Sequence, residues 1–199
     1  MTRKVFDVLA SAVGVVVVVI LLVAGGLLTW GHSFADSNVH NQLAEQQIFF
    51  PPKSAFEHPK AGTEITPAMI PSVSQYAGQQ LLTGKQAEAW ANHFIAEHLK
   101  EMPYNGVYAK ISAAAREKPE DKELAALEQT SFQGTTLRGL LLEAYGFSTI
   151  GEVMFWGAIA SFCLAAIMAI LVALGFRHAA RTRPEDELLP ARTPSLVSS

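Results

Sequence analysis

The chain has 199 residues, of which 50% are apolar and 17% are charged, and its formal net charge is −3. Soluble domains carry about 25% charged residues, so this chain is poor in charge, and its acidic balance predicts no nucleic-acid partner. The single cysteine, Cys163, excludes an intrachain disulfide framework and a multi-cysteine zinc site.

The first predicted element is a membrane-spanning helix. Residues 8–30 contain no charged side chain, and about 20 apolar residues are enough to cross a hydrocarbon core. We therefore predict residues 1–7 as a cytoplasmic N-terminus and residues 8–30 as transmembrane helix 1. A basic start before an apolar run also describes a signal peptide, but Trp30 and His32 stand where small cleavage-site residues are needed, which favours an uncleaved anchor.

Residues 31–152 are predicted to form an extracytoplasmic helical domain. Its first part, residues 38–47, continues the first span outward as a helix that Pro51 and Pro52 end. From there to Leu82 the chain contains Pro, Gly, Ser and Thr without periodicity, which is typical of loops and short turns. No alternating strand pattern occurs anywhere in the sequence.

A capping box marks the start of the next helix. The Thr83 side chain and the Gln86 side chain, three residues later, are placed to satisfy backbone N–H groups of the first turn. Apolar residues then recur at helical spacing as far as Pro103. The sequence therefore predicts an amphipathic helix over residues 83–102.

A metal site is the one chemistry that this helix suggests. His93 and Glu97 lie one turn apart and could face one ion, with His98 as a further weak candidate, but zinc needs three or four ligands. The alternatives are a surface pair of His93 and Glu97 and a hydrogen-bonded core position for His98. Because Gly-x-Ser-x-Gly, phosphate-loop and Cys-x-x-Cys motifs are also missing from the sequence, we predict no cofactor, no bound metal and no catalytic residue, hence no enzyme.

Two further helices are predicted before the second span. Residues 107–115 have helical spacing and end before Pro119. Pro119 and the acids from Glu120 onward are typical of a helix start, and this helix is predicted to run into the membrane. Candidate bends in it are Gly134, Gly139, Gly146 and Gly151.

The second uncharged stretch and its flanks set the predicted topology. Residues 153–176 are predicted as transmembrane helix 2, and residues 177–199, rich in Pro, Ser and Thr, as a disordered cytoplasmic tail. Positive side chains concentrate on the cytoplasmic side of membrane proteins, and the ones flanking these two spans are Arg3, Lys4, Arg177, Arg181 and Arg183. Both termini are therefore predicted in the cytoplasm of a plasma-membrane protein, with residues 31–152 outside.

Two mixed polar and apolar blocks, residues 42–52 and 132–146, flank the spans on the outer side. If the spans pack as a hairpin, the blocks become neighbours, and Arg138 could pair with Glu45 or Glu143. They are interpreted either as a docking surface for another membrane protein or as the core of the chain's own membrane-proximal bundle. The candidate interaction residues are Glu45, Phe49, Phe50, Phe132, Arg138 and Tyr145.

These two blocks, together with residues 75–80, 93–99 and 108–112, resemble a family of uncharacterised actinobacterial membrane proteins with two spans and an extracytoplasmic helical insert. The resemblance implies a plasma-membrane protein of a high-GC Gram-positive bacterium. It brings no activity and no catalytic residues, so it informs the placement of the chain and leaves its function open.

The resulting hypothesis is an all-α membrane protein, a two-helix transmembrane hairpin with a small extracytoplasmic helical domain. Its partners are predicted to be the lipid bilayer and either a membrane protein or further copies of itself. We expect a non-catalytic accessory or scaffold subunit that docks onto a larger envelope or respiratory membrane complex. The alternative is an anchored sensor or chaperone whose outer domain binds a small ligand, lipid or metal near Trp90, His93, Phe94 and His98.

Overall fold

The computed structural model describes residues 3–57, 59 and 65–181. Within these ranges the backbone is helical, without strands, and one isolated antiparallel bridge joins Phe49 to Gln80. The prediction of an all-α chain with two long apolar helices is confirmed for these residues. The chain divides into two compact units, Met1–Trp30 with Met154–Ser199, here the two-helix unit, and Gly31–Val153, here the helical domain.

Two helices are long and apolar enough to cross a membrane. The first, α1, spans Arg3–Glu45, and the last, α7, spans Lys122–Arg181. In their most apolar stretches of 18 residues, only 17% and 11% of the residues are buried inside the protein. The apolar side chains of both helices therefore face outward.

Small side chains form the contact within the two-helix unit. Gly25 lies against the Phe162 ring, Gly157 lies against Leu28, and the Ser161 hydroxyl donates a 2.7 Å hydrogen bond to the Leu21 carbonyl. Small residues allow helix backbones to approach closely. Cys163 is exposed, so it does not pack inside this contact.

The ends of the long helices differ from the predicted ones. The α1 helix ends at Glu45, before the Pro51–Pro52 pair, and Gln47 takes a left-handed φ of 51°. The α7 helix starts at Lys122, because the Asp121 carboxylate accepts hydrogen bonds from the Glu123 and Leu124 N–H groups at 3.0 and 3.1 Å. An Asp at this position is a standard N-cap.

The predicted long helix runs without interruption through all four glycines that were candidate bends. Gly134 and Gly151 instead allow close packing: an added Cβ would lie 2.9 Å from Leu99 and 3.1 Å from Ala35. Around Gly139 and Gly146 there is open space for such an atom. The predicted tail lies mostly outside the described residues, from position 182 onward.

Short helices connect α1 to α7 within the helical domain. They are α2 (Lys53–Glu57), α3 (Ile70–Val73), a 3₁₀ turn (Ser74–Tyr76), α4 (Gly84–Ala89), a π-helix (Trp90–Ile95), α5 (Ala96–Glu101), a 3₁₀ segment (Pro103–Gly106) and α6 (Tyr108–Glu117). The predicted capping box is present at Thr83 and Gln86. The π-helix was not predicted, because an apolar stripe at helical spacing does not distinguish i→i+5 from i→i+4 hydrogen bonds.

The core of the helical domain joins both long helices to the short ones. Its most deeply buried side chains include Met69, Val73 and Leu81, none of which has accessible surface. Val39 and Leu43 of α1 and Leu141 of α7 belong to the same cluster. Residues 42–52 and 132–146 thus contribute to one core. This agrees with the interpretation that the two blocks form the core of the chain's own membrane-proximal bundle.

Candidate functional site

Arg138 holds the π-helix against α7. Its Nε donates to the Ala91 carbonyl at 3.3 Å, and its Nη2 donates to the Asn92 side-chain oxygen at 2.8 Å. The Ala91 carbonyl already accepts the i→i+5 hydrogen bond from the Ala96 N–H that defines the wider turn. The predicted ion pair of Arg138 with Glu45 or Glu143 is therefore wrong, because the guanidinium faces the short helices.

Asn92 extends this contact into a small network. Its side-chain Nδ2 donates to a Glu88 carboxylate oxygen at 2.9 Å while its oxygen accepts from Arg138. Hydrogen bonds that involve a charged group are stronger than neutral ones. Arg138 is thus a half-buried residue that makes hydrogen bonds within the helical domain.

The π-helix stacks a row of rings. Trp90 stacks on Phe94 with ring centroids 4.1 Å apart, and Phe94 meets the His98 ring at 4.6 Å. Phe50 meets Trp90 edge-on at 5.0 Å and is 2% exposed. Phe50, one of the candidate interaction residues, is therefore part of the chain's own core and cannot contact a partner.

The three weak metal candidates each have a different environment. The His98 Nδ1–H donates to the Phe94 carbonyl at 2.8 Å, and Glu97 pairs with Lys100 one turn later. His93 is half-buried on the π-helix. In the part of the chain that the structure describes, no three His, Cys, Asp or Glu side chains are placed to hold one metal ion.

Phe132 contacts Tyr108, and these two exposed rings, together with the exposed Tyr104 in the turn before α6, are here called the aromatic cluster. The Tyr108 and Phe132 rings are 5.6 Å apart, and the three side chains are 51%, 39% and 49% exposed. Tyr104 and Asn105 adopt left-handed backbone conformations with φ values of 58° and 54°. A left-handed conformation is unusual for a bulky residue and costs of order 1–3 kcal/mol.

Two contacts fix the turn that carries Tyr104. The buried Ser131 hydroxyl donates a 2.8 Å hydrogen bond to the Gly106 carbonyl, which ties the turn to α7 beside Phe132. Gly106 has a φ of +64°, and an added Cβ would collide with the Leu99 carbonyl. The backbone of the turn is therefore held against α7 and against Leu99.

The remaining candidate residues lie at the surface. Phe49 is 58% exposed, although its neighbours are paired, with the Phe50 N–H donating to the Gln79 carbonyl at 2.9 Å. Tyr145 is 39% exposed beside the start of α4. Glu45 is exposed at the end of α1. Four of the six candidate interaction residues are therefore exposed: Glu45, Phe49, Phe132 and Tyr145. Phe50 is buried, and Arg138 is half-buried.

A groove runs between α1 and α7 of the helical domain. It has a volume of about 290 Å³, at the small end of ligand pockets. Its lining comes from two blocks, residues 38–46 and residues 137–147. The sequence analysis did not predict that Leu137 and Leu140 line a groove. Both belong to the apolar run before the second span, which was interpreted as part of the membrane-proximal bundle.

No protein-family model matches this chain, and no curated protein or solved structure is detectably similar to it. The actinobacterial resemblance therefore stays a prediction. Any functional argument has to come from the surfaces described above.

Proposed function

We propose that this chain is a two-span plasma-membrane protein with both termini in the cytoplasm, which serves as a non-catalytic accessory or scaffold subunit of a larger membrane complex. In this proposal residues 8–30 and 153–176 cross the bilayer. Their outward-facing apolar side chains support the placement, because surface of that kind is stable in lipid. The resemblance to actinobacterial two-span proteins agrees with it.

The aromatic cluster is the observation that supports docking. Tyr and Trp are enriched among the residues that dominate binding energy, and rigid aromatic side chains lose little conformational entropy on binding. Tyr104 takes a left-handed backbone conformation that is unfavourable for a bulky residue, two positions before the Gly106 carbonyl that accepts the Ser131 hydrogen bond. Strain of this kind often occurs at functional sites, and here it displays a tyrosine at the surface.

Site-specific photo-cross-linking in native membranes tests the docking proposal. A photoreactive phenylalanine analogue at position 132 should form a cross-link to one membrane protein, and the yield should fall when Tyr104→Ala and Tyr108→Ala are added. The matched control places the analogue at the exposed Ala113. Equal cross-linking from positions 132 and 113, or none from 132, would contradict the proposal.

The anchored ligand-binding domain is the second candidate, and the groove is the observation that favours it. The aromatic and histidine residues first associated with a pocket, Trp90, His93, Phe94 and His98, do not line that groove. A ligand role would therefore use residues 38–46 and 137–147 instead.

A further inference from the structure

The groove between α1 and α7 has a closed floor and two unlike walls. Val39, Leu43 and Leu141 form its apolar floor and are at most 7% exposed. Three apolar side chains of α7 line one side and remain 36%, 59% and 47% exposed: Leu137, Leu140 and Phe147. Exposed apolar side chains that line a concave surface mark an interaction site more often than isolated ones do.

The other wall of the groove carries three amides. Asn38 and Gln42 lie one turn apart on one side of α1, and Gln46 lies in the turn directly after the helix ends. The Gln42 side chain donates to the Asn38 side-chain oxygen. Amide groups both donate and accept hydrogen bonds, so this wall can bond polar side chains along its whole length.

The charged side chains at the groove are acidic. Among the lining residues Glu143 is the single charged side chain, and none is Lys or Arg. Glu45 follows seven residues after Asn38, on nearly the same side of α1, and it is exposed. Residues 31–152 as a whole carry nine Lys or Arg and fourteen Asp or Glu.

The length of the groove along α7 corresponds to several helical turns. From Leu137 to Phe147 it extends over about 15 Å at 1.5 Å per residue, which is nearly three helical turns. A long groove with one apolar wall and one amide wall matches the two sides of an amphipathic helix, a common mode of peptide recognition. A lipid chain would offer no hydrogen-bonding partner to Gln46 or to the remaining donors and acceptors of Asn38 and Gln42.

We propose that this groove receives an amphipathic helix of the partner protein, with an apolar stripe against Leu137, Leu140 and Phe147 and with Lys or Arg side chains beside Glu45 and Glu143. This inference rests on the proposed docking function and names the partner's chemistry. A second copy of this chain fits less well, because a two-fold contact of the groove face would bring the carboxylates of both copies together, which is unfavourable.

Two synthetic helices give a direct test with a defined probe. One is an amphipathic peptide of three to four turns with a leucine stripe flanked by Lys, and the other carries Glu in place of Lys. Binding is measured by fluorescence anisotropy to the full chain in lipid nanodiscs. The Lys peptide would form exposed ion pairs with Glu45 and Glu143, whereas the Glu peptide would place like charges there, so we expect the Lys peptide to bind about tenfold more tightly.

Three variants connect this binding to the groove. Glu45→Lys with Glu143→Lys should remove the preference for the Lys peptide, and Leu140→Gln should weaken both peptides. The control, Glu117→Lys on α6, should change neither. Equal binding of the two peptides, no binding, or binding insensitive to Leu140→Gln would overturn the inference; circular dichroism confirms that each variant is folded.

Cross-linking separates this inference from the docking proposal. A photoreactive residue at position 140 should capture the same membrane protein as one at position 132. Capture from 132 alone, or capture of lipid from 140, would overturn the groove inference and leave docking intact. Loss of capture from both positions would overturn both.

Discussion

At the scale of single residues, Arg138 is the clearest connection between α7 and the short helices. Truncation to Ala would remove the hydrogen bonds to Ala91 and Asn92 and release the Asn92–Glu88 pair. Hydrogen bonds from a charged donor are worth about 1.5–3 kcal/mol, so Arg138→Ala should lower the free energy of unfolding by about that much.

The measurement is the midpoint of thermal unfolding of the full chain in detergent, monitored by circular dichroism. Lys118→Ala, at an exposed position on the loop before α7, is the control and should leave the midpoint unchanged. An Arg138→Ala midpoint equal to that of the wild type would contradict the assigned role.

Substitution of two glycines by Ala should change the stability of the chain in opposite directions. Gly106→Ala should destabilise the chain, because φ is +64° there and the new Cβ would meet the Leu99 carbonyl. Gly139→Ala should instead stabilise it by about 0.5–1 kcal/mol, because Gly139 lies inside α7 with open space around it. Chemical denaturation of both variants checks the signs, and the same sign for both would contradict the description of the turn or of the helix.

At the scale of elements, local chemistry made some helices predictable. The capping box at Thr83 and Gln86 was readable because both partners lie within four residues of each other, and the Gln86 side chain accepts from the Leu82 and Thr83 N–H groups at 2.8 and 3.0 Å. The start of α7 was displaced by two residues because either Glu120 or Asp121 could begin a helix, and only Asp121 places its oxygen near free N–H groups.

Other features depend on contacts between distant residues and could not be predicted. The π-helix is supported by Arg138, 47 positions beyond Ala91. Phe50 is buried because Tyr76 and Trp90 pack against its ring at 5.2 and 5.0 Å. The Tyr108 ring of α6 meets the Phe132 ring of α7, and the sequence pattern gave no sign that Tyr104, in the turn before α6, would adopt a left-handed conformation.

Neighbouring glycines test the packing of the two-helix unit. A Cβ at Gly25 would lie 2.8 Å from the Phe162 ring, whereas one at Gly26 would contact nothing within 4 Å. Gly25→Val should therefore lower the unfolding midpoint in detergent, and Gly26→Val should change it much less. If both variants behave alike, the described contact between the helices is incorrect.

At the scale of the whole molecule, the proposed topology makes a labelling prediction. In a Cys163→Ser background, single cysteines are placed at the exposed positions Val5, Ala113 and Ala180, none of which removes a positive charge. A membrane-impermeant maleimide should label position 113 in intact cells and positions 5 and 180 only after permeabilisation, because the basic flanks of both spans favour the cytoplasm. Labelling of 113 and 180 from the same side would contradict two spans.

The aromatic cluster and the groove are the two surfaces on which the proposed docking function rests. The helical domain has its own core around Met69, Val73 and Leu81, yet it leaves Phe132, Leu140 and Phe147 about half exposed. Interfaces are enriched in such aromatic and apolar anchors.

The most direct test of a docking subunit is gentle detergent extraction of native membranes, with a tag on the C-terminus, followed by native mass analysis. We predict a complex that contains this chain and a different membrane protein in fixed stoichiometry, and Phe132→Ala with Leu140→Gln should release that protein. A monomer, or an assembly of this chain alone, would contradict it and direct attention to ligands of the groove.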